Sequence, residues 1–137
     1  MTDRKKIARI IDANLNRARE GARVLEEIAR FVSDDKEIAG RIKDIRHLIV
    51  ETTLEFGVSR DELLDARDSD MDVGRKISGE LENKRADIMD IIASNFSRIE
   101  EALRAIEEFG KLINPTVALK IKDIRYDVYS LERDFRK

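Results

Sequence analysis

Cysteine and tryptophan are absent from the 137-residue chain, and proline and histidine occur once each. Without cysteine there can be no disulfide, thiolate metal site or cysteine nucleophile. A single histidine, His47, leaves zinc chemistry without its usual ligands. Long apolar runs are missing as well. The longest stretch free of charge is the eight residues from Leu112 to Leu119, and Pro115 interrupts it. A membrane span needs roughly 18 or more apolar residues, so none is expected. The opening MTDRKKIARIID places charges too close together for a signal-peptide core, which makes the cytoplasm the expected compartment. Nor does one sign of charge dominate: 27 basic and 29 acidic side chains leave a net −2. That balance gives no general reason to expect nucleic acid or an anionic membrane as partner. Neither of the glycine-rich phosphate-cradling patterns, G-x-x-x-x-G-K-[ST] or G-x-G-x-x-G, occurs.

What is present is helix-forming. Apolar residues make up 42% of the chain, enough for a single domain with one core, and there are only six glycines. The first apolar stripe is Ile7, Ile11, Asn14, Ala18, Gly21, Leu25, Ile28, Val32, stepping alternately by four and three residues. Asp34 and Glu37 form an apparent capping box for a second helix with stripe Ile38, Ile42, Ile45, Ile49, Thr52, Phe56. Gly57 is its expected stop, and Ser59 with Glu62 would cap a short helix from Arg60 to Ala66. Residues 67–79, RDSDMDVGRKISG, show no stripe and read as a loop. A third long helix follows with Ile88, Ile92, Asn95, Ile99, Ala102, Ile106, Phe109 and Ile113. Asn114 and Pro115 supply an N-cap and first helical residue for the last, with Val117, Ile121, Ile124, Val128, Leu131 and Phe135. The expected fold is all-α, an up-down bundle of four long helices.

The helices come in copies. An offset of 81 lays Asn14 on Asn95, and NLNRAREGARVLEE then matches NFSRIEEALRAIEE at six of fourteen positions. An offset of 79 lays the second helix on the fourth, where IKDIR recurs at 42–46 and 121–125. Five consecutive identities in equivalent stripes indicate a duplicated helical hairpin with pseudo-two-fold symmetry. The expected organisation is one helical domain over 1–137, with halves at about 4–57 and 85–135 and a connector at about 58–84.

Asn14 and Asn95 are the strongly polar members of otherwise apolar or small-residue stripes. A buried amide needs partners, since leaving one unpaired costs on the order of 1–3 kcal/mol. Either the two pair across the pseudo-axis and fix register, or they face a cleft and bind a ligand. Arg17, Glu20 and Glu27 flank Asn14, and Arg98, Glu101 and Glu108 repeat that flank beside Asn95. Arg23 and Arg104 point to the opposite, solvent-facing side. The flanking charges are either solvated helix pairs or a set able to hold phosphate and magnesium.

The connector concentrates charge: residues 61–72 carry Asp61, Glu62, Asp65, Asp68, Asp70 and Asp72 against Arg67 alone. The local charge is −5, so the remainder is +3. Its D-x-D-x-D run fails as an EF-hand, because glycine falls at position seven and position twelve is Gly79. Arg67, Arg75 and Lys76 bracket the acids, a composition suited to phosphate with a divalent ion; an exposed acidic connector is the plain alternative. His47 falls away from the Ile45 stripe and reads as a surface residue.

Three blocks, RIIDANLNRAREGARVLEEIARFVSDD, ARDSDMDVG and SNFSRIEEALRAIEEFGKL, resemble a small all-helical domain of bacterial thiamine biosynthesis. That domain occurs alone or fused to the N-terminus of thiamine-phosphate synthase. The resemblance runs from about Arg9 to Leu131. It implies a hydroxymethylpyrimidine-phosphate kinase, unrelated in fold to the ribokinase-like enzymes. The implied reaction passes the ATP γ-phosphoryl to 4-amino-5-hydroxymethyl-2-methylpyrimidine phosphate, with magnesium as cofactor. An acceptor that is already a phosphate needs no strong base, so positioning and charge neutralisation suffice.

Residue chemistry then suggests the roles. Asn14 and Asn95 would bind the aminopyrimidine edge, and Arg17, Arg98, Arg67 and Arg75 the phosphates. Asp68 and Asp72, with Glu20 and Glu101, would carry magnesium; Arg67, Asp68 and Asp72 form the expected catalytic group. The alternative is a non-catalytic helical module, for ligand binding or dimerisation, associated with thiamine-phosphate synthase; the expected protein partner is a second copy of the chain or that synthase. Synthase activity itself is not expected, because the chain has no βα pattern for a barrel. A chain ending at Lys137 has no room for that barrel, whether it stands alone or is an excised domain.

Overall fold

The computed structural model describes residues 2–77 and 84–137. Five helices occur among them: α1 (Asp3–Phe31), α2 (Lys36–Leu54), α3 (Arg60–Ala66), α4 (Ile88–Gly110) and α5 (Pro115–Phe135). No strand is found among the described residues. α1 packs against α2 and α4, α4 against α5, and α5 back against α2, so the long helices close a four-membered ring. α3 lies on α1 alone of the long helices as a principal contact. Expected loop residues 78 and 79 fall outside the described residues.

Local chemistry sets the boundaries. Ser59 accepts the amide of Glu62 and opens α3, and Asn114 accepts those of Thr116 and Val117 ahead of Pro115. Gly57 ends the α2 region at φ +81°, a left-handed conformation that costs glycine nothing. The cap of α2 is one residue later than the expected Asp34. Asp35 accepts the amide of Ile38, while Asp34 takes φ 49°, which a short polar side chain tolerates at a tight turn.

The apolar stripes meet in one core, with Ile11, Leu25, Ile42, Ile49, Phe96, Leu103, Ile106, Ile121 and Val128 essentially sealed from water. Burying such side chains stabilises by about 1.5–3 kcal/mol each. The stripes fail at their ends: Val32 and Ile88 are exposed. Close approach of α1 and α4 is set by Gly21, where a Cβ would stand 3.1 Å from Ile99 Cγ1 and 3.3 Å from the Asn95 carbonyl oxygen. A larger side chain there would push the two helices apart.

The repeated charges have a structural use that the sequence reading missed. Glu26 and Glu107, assigned no role from the sequence, are buried. The Glu26 carboxylate accepts from Arg23 at 3.3 Å and from Arg46 of α2 at 3.2 Å. Glu107 accepts from Arg104 at 3.1 Å and from Arg125 of α5 at 2.9 Å. The recurring IKDIR therefore delivers its arginine to the same carboxylate in each hairpin. Arg23 also pairs with Glu27, and Arg104 with Glu108. These pairs contradict the expected grouping of Glu27 with Arg17 and of Glu108 with Arg98, because Arg23 and Arg104 stand one i,i+4 step from those carboxylates.

Between α4 and α5 the copies diverge. Burial pushes the Glu100 carboxyl up to about 8, helped by a hydrogen bond with Glu132 and by the charges of Glu132 and Glu101, and opposed by Arg125. A folded pKa above the unfolded value near 4.5 means the native state holds this proton more tightly. Stability is full below the unfolded value and is lost as pH rises through the folded one. Glu100→Gln removes the proton requirement. Melting curves should show it more stable than the parent at pH 8, by about 1–2 kcal/mol after solvent screening, and equal to it at pH 4. An equal gain at both pH values would assign the effect to packing.

Candidate functional site

A cleft of about 670 Å³ opens where α1 meets the segment after α3. Its floor is α1, through Ile10, Asp12, Ala13, Asn14 and Arg17; Ala105 and Phe109 of α4 form one wall. Arg67, Asp68, Ser69, Met71, Asp72 and Val73 form the other. α3 sets that second wall in place. Arg4 donates to both carboxylate oxygens of Glu62, at 2.7 and 3.2 Å, and to the Gly57 carbonyl at 3.3 Å. The hydrogen bond from Arg4 holds the Glu62 carboxyl below its usual range. The chain leaves α3 extended at Arg67 and turns across the cleft.

Asp12 is the residue that sequence reasoning missed. Its carboxylate is buried and accepts twice from Arg67, Nε to Oδ2 and Nη2 to Oδ1, both at 2.8 Å. Asn16 donates to Oδ1 at 3.4 Å. A bidentate carboxylate fixes a guanidinium in plane as well as in position. The pairing raises the Arg67 pKa, mainly through the Asp12 hydrogen bonds, with the charge of Glu20 adding a smaller contribution. The two side chains differ in exposure: 7% for Asp12 against 44% for Arg67. The arginine is thus anchored from below and presented to the cleft. Arg9 donates from Nη2 to the Asp68 carbonyl at 2.9 Å, tying the start of the loop to α1.

Asn14 and Asn95 do not pair. Each amide nitrogen donates to the carbonyl four residues back, Ile10 at 2.9 Å and Ile91 at 2.8 Å. Asn14 Oδ1 also accepts from Arg17 at 3.2 Å. α1 and α4 run antiparallel, since Gly21 faces Asn95 and Ile99 while Asn14 shares the cleft with Ala105. The asparagines therefore stand apart along the helix contact. Of the expected site residues, the structure brings Asn14, Arg17, Arg67, Asp68 and Asp72 to one cleft. Asn95, Arg98, Arg75, Glu20 and Glu101 are not among its lining residues. Arg75 turns back to Asp70 at 3.0 Å, and Glu101 lies beside Glu100. Phe109, expected in the core stripe, faces the cleft and is 37% exposed. His47 is exposed on α2.

No group of three or more acidic, histidine or cysteine side chains able to hold a metal occurs among the described residues. Asp68 Oδ1 accepts the Met71 amide and Asp72 Oδ1 the Gly74 amide, so each carboxylate is oriented by a turn. No helix among the described residues is long and apolar enough to cross a membrane.

Comparison with known proteins identifies relatives over nearly the whole chain. Thiamine-phosphate synthase of Synechocystis sp. is 43% identical over 126 residues, 92% of this chain and 35% of that protein. The thiamine-phosphate synthases of Nostoc sp. and Rhodopirellula baltica are 43% and 38% identical, covering 92% and 95% of this chain and 34% of each protein. The chain thus spans about a third of the length of these relatives. No solved structure matches it. The ThiD2 family model matches residues 9–134, and the chain belongs to the ThiD2 family.

Proposed function

We propose that the chain serves thiamine biosynthesis by phosphorylating 4-amino-5-hydroxymethyl-2-methylpyrimidine phosphate to the diphosphate with ATP. The observation that carries this reading is the Asp12–Arg67 pair, a rigidly held guanidinium presented to a cleft that also contains Lys6, Arg9 and Arg17. Phosphoryl transfer asks for that kind of fixed positive charge and little else. A monophosphate oxygen of the acceptor attacks the γ-phosphorus; the bond from that phosphorus to the bridging oxygen breaks, and ADP leaves with the electron pair. Arg67 would stabilise the charge on the transferred group, and Arg17 with Asn14 would hold the acceptor. Ile10, Ala105 and Phe109 offer an apolar surface for a ring.

Asp68 and Asp72 fit magnesium of the kind that arrives with a nucleotide, which takes one or two carboxylates together with phosphate oxygens and water. Bound there, the ion would neutralise charge on the phosphates. Glu20 and Glu101 are proposed no further as ligands, being outside the cleft lining.

The test is an ADP-release assay with ATP, magnesium and the pyrimidine monophosphate, with the diphosphate product identified by mass. Acceptor-dependent ADP release supports the kinase. Its absence in folded protein sinks that reading. It would favour the second one, a non-catalytic module associating with thiamine-phosphate synthase, to which the length of the relatives points.

A further inference from the structure

We infer that Lys6 binds the polyphosphate of a nucleoside triphosphate, at the end of the cleft farther from Asn14. The inference rests on the kinase reading and deepens it by giving the two substrates separate ends. Four cations line the cleft, and three are engaged by the protein. Arg9 holds the Asp68 carbonyl, Arg17 the Asn14 amide oxygen and Arg67 the Asp12 carboxylate. The Lys6 ammonium has no protein partner among the described residues, although its side chain lines the same space. A lysine is a compact, strongly hydrated point charge suited to a phosphate oxygen.

The two ends of the cleft differ in ways that sort the substrates. Lys6 and Arg17 lie eleven positions apart on α1. At about 1.5 Å per residue this separates their attachment points by roughly 16 Å, with Asp12 and Arg67 midway. At the other end the Asn14 side chain is buried and shares the cleft with Ala105 of α4, a setting for a small flat ring with hydrogen-bonding edges. The Lys6 end lies one turn from Arg9, which holds Asp68, so it adjoins the carboxylates suited to nucleotide-borne magnesium. Met71 and Val73 stand open to solvent on that wall, giving room for a nucleoside.

Lys6→Ala isolates the charge, because Lys6 is exposed and its side chain holds no ion pair that the fold would miss. Steady-state kinetics should show KM for ATP raised about tenfold, as for loss of one charge-assisted contact, with KM for the pyrimidine phosphate changed less than about twofold. Lys6→Arg should restore KM for ATP to within about threefold of the parent. Calorimetry with MgATP alone supplies an arm independent of turnover: the parent should bind, and Lys6→Ala should bind about tenfold more weakly. If the parent binds MgATP without turning it over, the kinase reading fails while the Lys6 assignment stands. Equal MgATP affinity in parent and variant, no binding by the parent, or a rise in the pyrimidine KM instead would overturn the assignment.

Discussion

Arg67→Ala is expected to lower kcat/KM for pyrimidine-phosphate phosphorylation by about 10²–10³, the usual effect of deleting one preorganised donor to a transition-state charge. A guanidinium carries five N–H groups. Nε and one hydrogen on Nη2 are committed to Asp12, so the remaining hydrogens can meet phosphate oxygens. The geometry is set before substrate arrives, which limits the reorganisation needed at the moment of transfer. Removing Arg67 also strands a buried carboxylate, so some loss of stability accompanies the kinetic effect. Arg67→Lys separates the two. It keeps a positive charge against Asp12 but loses the planar fork, and should retain most of the stability while losing at least tenfold in kcat/KM. Assays run well below the melting temperature, beside circular dichroism, would read both quantities. Arg67→Lys with parental kinetics would remove the guanidinium from the reaction.

The second large effect concerns stability. Glu107→Ala should destabilise the fold by about 3–5 kcal/mol, because it leaves the Arg125 guanidinium buried without its hydrogen-bonded carboxylate. Arg125 is 13% exposed, and its Nε has no hydrogen-bond partner even in the intact protein. Loss of the 2.9 Å bond from Nη2 to Glu107 would leave it the Tyr129 hydroxyl at 3.2 Å, the Tyr126 and Tyr129 rings, and the charge of Glu100 if that carboxyl ionises. For a domain of this size such a change lowers Tm by about 10 °C or more. Replacing both partners with apolar residues, Glu107→Met with Arg125→Leu, should recover most of the loss, since it removes the stranded charge. Thermal melts of the single and double variants decide the matter. A drop below about 1 kcal/mol in the single variant would mean that water reaches the site.

The parts of the fold governed by neighbouring residues could be read from the chain. Ser59 and Asn114 cap where their spacing to the following amides requires, and the alternating apolar steps gave all four long helices. Partnership across long sequence separations could not be read. Asp12 and Arg67 are 55 residues apart, and Asp12 has alanine, Ala93, at its counterpart in the second copy, so the repeat offered no pointer. Repetition marked Asn95, Arg98 and Glu101 as firmly as Asn14, Arg17 and Glu20, although the cleft takes only Asn14 and Arg17 of the six. Glu26 and Glu107 were hidden in a different way. Each sits in a run of charges, and only tertiary packing distinguishes the buried carboxylate from its solvated neighbour.

The placement of α3 has a consequence for stoichiometry. Two equivalent hairpins would by themselves offer equivalent ends, and a ligand bound at one end would then have a second site at the other. Only one connector joins the two hairpins, and α3 with the segment after it leans on the N-terminal part of α1, at Arg4 and Arg9. The carboxylates and Arg67 come from that connector, so titration should saturate at one equivalent per chain.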